Sequence, residues 1–124
     1  PRDCTELAEL VAYEHGNIHR SLDLSAAAML RLLQRCDALR KPERFAQALW
    51  ACECDARGRW GFEAAAYPQR GRLEQALAVA LGVATGPIAA QAVAAGKQGA
   101  AIGQAVDAVR VQALGQWLKT GESS

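Results

Sequence analysis

Aromatic residues are scarce in this chain of 124: three Trp, two Tyr and two Phe, 6% in all. There is one Met and there are two His. The apolar half of the sequence leans on Ala, so the core is expected to be thin and made of close helix contacts. Excess charge is also lacking, with a formal net charge of +1. The total therefore says nothing for nucleic-acid binding, although a local basic stripe can hold phosphate on a nearly neutral protein. The four cysteines, Cys4, Cys36, Cys52 and Cys54, form no C-x-x-C pair. Cys52 and Cys54 are too close for a local disulfide and do not match a zinc knuckle, so free and mostly buried thiols are expected. No signal peptide stands out, and Gly, Gln or a charge interrupts each Ala-rich stretch before the roughly 18 apolar residues a membrane span needs. The sequence opens on Pro1 without Met, which reads as a piece of a longer protein, with a cytoplasmic setting as the expectation. Two-residue alternation is missing throughout, so no sheet is expected.

What is present is helical periodicity. Leu7, Leu10 and Val11 mark a helix over 5–14, which Gly16-Asn17 is expected to break. Asp23 and Ser25 are N-cap candidates for a helix over 26–39, with Leu30, Leu33 and Cys36 on its apolar side. Lys41-Pro42-Glu43 is a helix start for 42–56, where Phe45, Leu49 and Cys52 share a face and Gly58 is a candidate left-handed cap. An aromatic-rich loop, 60–69, follows. Leu73, Leu77 and Leu81 mark a helix over 72–82, and Thr85-Gly86-Pro87 starts a short one to 95. A Gly-Lys turn at 96–99 leads into a helix over 100–119 carrying Ile102, Val106, Val109, Ala113 and Trp117. The fold expected is all-α: a compact bundle of about six helices.

Three groups of residues are candidates for chemistry. His15 and His19 are four apart, a spacing that puts two imidazoles on one face for a shared metal if a helix continues through Gly16. Asp37 lies on or beside the apolar stripe of its helix, so its carboxylate needs a partner, and Arg40, Lys41 and Arg44 are at hand. Asp55 raises the same question, with Arg57 and Arg59 nearby. The third group is basic: Arg57, Arg59, Arg70, Arg72, Lys97, Arg110 and Lys119. Lys97 precedes the last helix, where free amides and the helix dipole would receive a phosphate. Nothing resembles a phosphate-binding P-loop, a nucleophile set beside a His, or paired carboxylates for phosphoryl-transfer metals. No catalytic residue is assigned.

Several segments carry a resemblance. Arg35-Cys36-Asp37-Ala38-Leu39-Arg40-Lys41-Pro42-Glu43-Arg44-Phe45 resembles the helix junction near the end of the HD domain in bacterial multifunctional CCA proteins. Ala51-Cys52-Glu53-Cys54-Asp55-Ala56-Arg57-Gly58-Arg59-Trp60-Gly61-Phe62-Glu63, then Tyr67-Pro68-Gln69, resembles the same family. So do Glu14-His15-Gly16-Asn17-Ile18-His19 and Gly96-Lys97-Gln98-Gly99-Ala100-Ala101-Ile102-Gly103. The likeness covers essentially the whole chain in order, as a C-terminal part of such a protein.

That resemblance implies a parent enzyme that adds or repairs the 3′-terminal CCA of tRNA from CTP and ATP with Mg²⁺, through acidic residues in an N-terminal head that is absent here. It also implies an HD phosphohydrolase activity (2′,3′-cyclic phosphodiesterase, 2′-nucleotidase, phosphatase) with a divalent metal such as Ni²⁺. HD domains hold metal through a His, a His-Asp doublet and a later Asp. Neither His15 nor His19 is followed by Asp, so the doublet is expected elsewhere in the parent. Asp37 best fits the late Asp, with Asp55 the other candidate, and His15 and His19 are further ligand candidates. Neither a tightly bound metal nor hydrolase activity is expected of this chain alone. The resemblance divides the chain at 1–40, the end of an HD domain, and 41–124, a helical body and tail that grips tRNA. Arg57, Arg59, Arg70, Arg72, Lys97 and Arg110 are then the candidate RNA contacts, and a face that packs on the head could drive oligomerisation. The alternative is a self-standing helical module that binds RNA or protein without catalysis.

Overall fold

The computed structural model describes residues 2–59, 61 and 63–121. Among the described residues six helices follow one another: α1 (Arg2–His19), α2 (Ala26–Arg35), α3 (Pro42–Arg57), α4 (Pro68–Leu81), α5 (Thr85–Ala94) and α6 (Ala100–Gly121). A single 3-10 turn, Ser21–Asp23, joins α1 to α2. No strand occurs among the described residues, so the expected all-α architecture is the observed one.

The helix boundaries differ from the sequence expectation at informative places. α1 runs straight through Gly16 to His19, and the Arg20 N–H still donates to the Gly16 carbonyl at 3.1 Å. A glycine in a helix costs about 1 kcal/mol relative to alanine. That is small beside the burial of Leu10 and Ile18 on the same helix. α4 begins at Pro68 rather than at 72, because Pro68 fills the first turn as Pro42 does in α3. Gly58 ends α3 with right-handed dihedrals (φ −71°), so the expected left-handed cap is not there. Of the two candidate caps for α2, Ser25 does the work, accepting from the Ala28 N–H at 3.2 Å.

α2 stops at Arg35, four residues before the expected end, because Asp37 takes a positive φ of 54°. The Ala38 N–H donates to the Leu33 carbonyl at 2.9 Å, and the Asp37 N–H to the Gln34 carbonyl at 3.0 Å. These two bonds make a Schellman cap, with Asp37 at the left-handed position that glycine usually fills. The same cap closes α5: Gly96 (φ 89°) donates to the Val93 carbonyl at 3.0 Å and Lys97 to the Ala92 carbonyl at 2.9 Å.

One apolar cluster runs across the chain. It joins Leu10 and Ile18 of α1, Met29, Leu30, Leu32 and Leu33 of α2, Phe45 and Leu49 of α3, Leu73 and Leu77 of α4, and Leu114 of α6. Residues on both sides of position 40 thus share a core. α1 lies against α3, α6 covers α2 and α4, and α5 packs chiefly on α6. α5 buries only Ala92. No single helix among the described residues is long and apolar enough to cross a membrane.

Candidate nucleic-acid interface and the two histidines

The continuous α1 brings His15 and His19 onto one face, with ring centroids 5.9 Å apart and the rings edge to face. They do different things there. His15 is exposed, and its Nδ1 faces the Val11 and Ala12 carbonyls at 3.0 and 3.1 Å. His19 is mostly buried. Its Nδ1 is hydrogen-bonded to the Tyr67 hydroxyl at 2.7 Å, and its Nε2 lies 3.5 Å from a carboxylate oxygen of Asp55. Gln69 Nε2 donates to the His19 carbonyl at 2.8 Å, closing an end of α1 that the helix itself leaves open. Burial, with Cys52, Asp55 and Glu53 close by, pushes the Tyr67 hydroxyl well above the usual tyrosine range. It therefore stays an O–H at neutral pH.

Asp37 is occupied elsewhere. Arg40 donates to both of its carboxylate oxygens at 2.7–3.1 Å, and Arg44 stands 3.7 Å away. The Arg40 hydrogen bond holds the Asp37 carboxyl below the usual range. Among the described residues, no group of three or more His, Cys, Asp and Glu side chains is placed to hold a metal ion. By themselves, Asp37, His15 and His19 do not fit a metal site. Asp37 has a plain structural duty instead: its short polar side chain tolerates the left-handed cap while bridging to α3. Asp37→Gly, which relaxes the backbone but loses the half-exposed bridge, is expected to stay within about 1 kcal/mol of the parent stability. Asp37→Val, branched at a left-handed position, should lose about 2 kcal/mol. Urea unfolding of both checks this. Equal losses would show that the carboxylate, not the backbone, matters.

The basic residues fall into two sets. Arg57 closes α3 and Arg70 lies in the first turn of α4, and each pairs with one carboxylate oxygen of Glu53 at 3.3 Å. Arg70 also pairs with Glu74 at 2.9 Å. Their side chains remain 45% and 37% exposed, which leaves outward N–H groups for a ligand. Arg59 is exposed on the loop between them. Lys97 stands exposed at the tip between α5 and α6. Its own amide and that of Gly96 cap α5, so the phosphate-receiving role expected of free amides there does not extend to these two. By contrast, the Arg72 guanidinium lies 5.5 Å over the Trp117 ring, and Arg110 Nε donates to the Ala80 carbonyl at 3.2 Å. Both are partly buried in the packing between α4 and α6.

Sequence reasoning passed over Glu14, whose side chain is 8% exposed and receives Arg35 Nε at 2.9 Å and Asn17 Nδ2 at 3.2 Å. Its position four after Leu10 and four before Ile18 places it on the apolar stripe of α1, and that signal was available. Glu6, which gathers Arg2, Lys41 and Arg44 at 3.1–3.3 Å, carried no such signal. Cys36 and Cys52 are buried, and burial pushes their thiols up to about 12 and about 11. Cys4 and Cys54 are exposed. The expectation of mostly buried thiols thus holds for two of the four.

No family model matches the chain, and no solved structure does. Curated relatives do. The chain is 60% identical over 116 residues to the multifunctional CCA protein of Polaromonas naphthalenivorans, a match that spans 94% of the chain and 27% of that protein. It is 56% identical over 118 residues to the multifunctional CCA protein of Acidovorax sp., spanning 95% of the chain and 28% of the relative. For that of Verminephrobacter eiseniae the figures are 58% over 118 residues, 95% and 29%. The chain is thus an all-helical segment homologous to part of a longer protein, and it spans little more than a quarter of the relatives it matches. The similarity is therefore to one part of the multifunctional CCA proteins, the family that the sequence motifs resembled.

Proposed function

We propose that this chain is the tRNA-holding part of a CCA-adding tRNA nucleotidyltransferase, with Arg57, Arg59, Arg70 and Lys97 as its phosphate contacts. The observation that carries the reading is the 56–60% identity, across nearly the whole chain, to proteins named for CCA. The placement of the cations supports it. Arg57 and Arg70 flank one loop that carries Arg59, Lys97 stands at a helix tip, and Arg72 and Arg110 serve the packing of α4 on α6. A protein that grips a tRNA arm reads backbone shape, since A-form grooves hide base edges from side chains. Exposed cations at helix ends and turns suit that task.

In this reading the longer protein transfers CMP and AMP units from CTP and ATP to the tRNA 3′ end with Mg²⁺. Its HD-type phosphohydrolase activity, with a metal such as Ni²⁺, rests on ligands beyond those present here. No step of either reaction is assigned to a side chain of this chain.

The test is tRNA binding by fluorescence anisotropy as a function of salt. Four phosphate contacts predict a log–log slope of roughly −3 to −4. Lys97→Gln, at an exposed tip, should make the slope shallower by roughly one and leave the unfolding midpoint in place. Absence of binding at low salt would sink the reading. A Lys97 variant that binds as tightly and as steeply as the parent would remove Lys97 from the surface.

A further inference from the structure

His19 ends α1, forty-eight residues before Tyr67, yet these two side chains make one of the shortest hydrogen bonds in the structure, 2.7 Å, and stack edge to face at 5.7 Å. Gln69 adds the bond to the His19 carbonyl at 2.8 Å. Asp55, from the last turns of α3, sits 3.5 Å from the other ring nitrogen. Three helices therefore meet at His19: α1 through its last residue, α3 through Asp55 beside the ring, and the start of α4 through Tyr67 on the ring and Gln69 on the backbone carbonyl. The loop between Arg57 and Pro68 is held twice. Glu53 ties its two ends together by taking one guanidinium on each oxygen, and the His19 contacts pin its far end to α1.

We propose that His19 is a positioning residue: with Tyr67 and Gln69 it clasps the loop between α3 and α4 and so fixes where Arg57, Arg59 and Arg70 meet an RNA backbone. The role rests on the tRNA-holding reading, and it assigns His19 a duty other than metal ligation. The imidazole is suited to it, because a rigid ring holds its two nitrogens in fixed directions, one hydrogen-bonded to the Tyr67 hydroxyl and the other facing the Asp55 carboxylate at 3.5 Å without a hydrogen bond. Segments outside helices open locally more readily than a packed core, so a few such contacts decide how well the flanking charges are aimed.

Trypsin cuts after arginine, so nicking after Arg57 and Arg59, with products identified by mass, reports how often the loop opens. Tyr67→Phe removes one hydroxyl and keeps the ring. It is expected to speed nicking at these two sites about five-fold, the change in a local equilibrium expected for one ordinary hydrogen bond, with global stability in urea lowered by no more than that same bond. A weakening of tRNA binding, smaller than the change in nicking because the closed form still predominates, should accompany it. His19→Gln, which keeps a hydrogen-bonding group at that position, should recover part of what His19→Leu loses in both readouts. Nicking of Tyr67→Phe at the parent rate would overturn the clasp. Faster nicking with unaltered tRNA affinity would overturn the positioning role. If the unmodified chain leaves tRNA unbound, the RNA reading fails and positioning fails with it, while nicking still judges the clasp itself. Faster nicking of the unmodified chain on adding Ni²⁺ alone would show His19 drawn off to metal, against the proposal.

Discussion

Phe45→Ala is expected to lower stability by about 3–5 kcal/mol, the cost usual for removing a buried phenylalanine ring from a packed core. Phe45 is fully buried in the first turns of α3, and its ring belongs to the cluster that joins α1, α2, α4 and α6. Only two phenylalanines occur in the chain, and the cluster that holds Phe45 also contains Ala38, Ala48 and Ala76, which are too small to fill the space it would vacate. A domain of this size has about 5–15 kcal/mol in total, so the variant should stand near the limit of folding at ambient temperature. Thermal unfolding by circular dichroism should show a fall in Tm of roughly 10–20 °C. Trp50→Ala on the same helix is the control: Trp50 is 59% exposed, and its loss should stay within about 0.5 kcal/mol. Similar losses for the two would contradict this placement of the core.

The second large effect concerns Glu14 and Arg35. Removing the cation alone, as in Arg35→Met, leaves a carboxylate that is 8% exposed with Asn17 as its remaining side-chain donor. Breaking a fully buried pair costs about 3–5 kcal/mol. Arg35 is half exposed, so water softens the loss, and about 2 kcal/mol is expected. Replacing both partners, Glu14→Leu with Arg35→Met, removes the stranded charge and adds apolar contact beside Leu10. The double variant should therefore recover most of that loss. A double-mutant cycle from urea unfolding measures the coupling, and additivity of the two single changes would contradict the pairing.

Much of the architecture was legible in the sequence, and the pattern of what was not is instructive. About six helices were expected and six are present among the described residues, because leucine spacing and the Lys41-Pro42-Glu43 start are local signals. Gly16 misled because a glycine's intrinsic cost says nothing about the tertiary contacts on either side of it. Asp37 misled in the opposite sense: its helical spacing after Leu33 extended α2, while a short polar residue at a left-handed cap was ending it. The basic residues could be named from the sequence but not sorted. Arg72 and Arg70 are two apart, yet one lies over Trp117 and the other fronts solvent beside Glu53. Neither partner is near in sequence to both. The contact between His19 and Tyr67 was illegible for the same reason, since nothing within one helix turn of either residue announces the other.

The placement of α6 has a consequence for how the molecule is made. This helix of 22 residues covers α2 and α4 and inserts Leu114 into the core, yet it is synthesised after everything that it covers. At the usual pace of a ribosome, roughly one to four seconds separate the first residue of α6 from the last. Until α6 is in place, the flanks of α2 and α4 that it covers have no cover from it. Chaperones that patrol the ribosome exit would find their opening there, and a message cut short just before residue 100 would leave it permanently open.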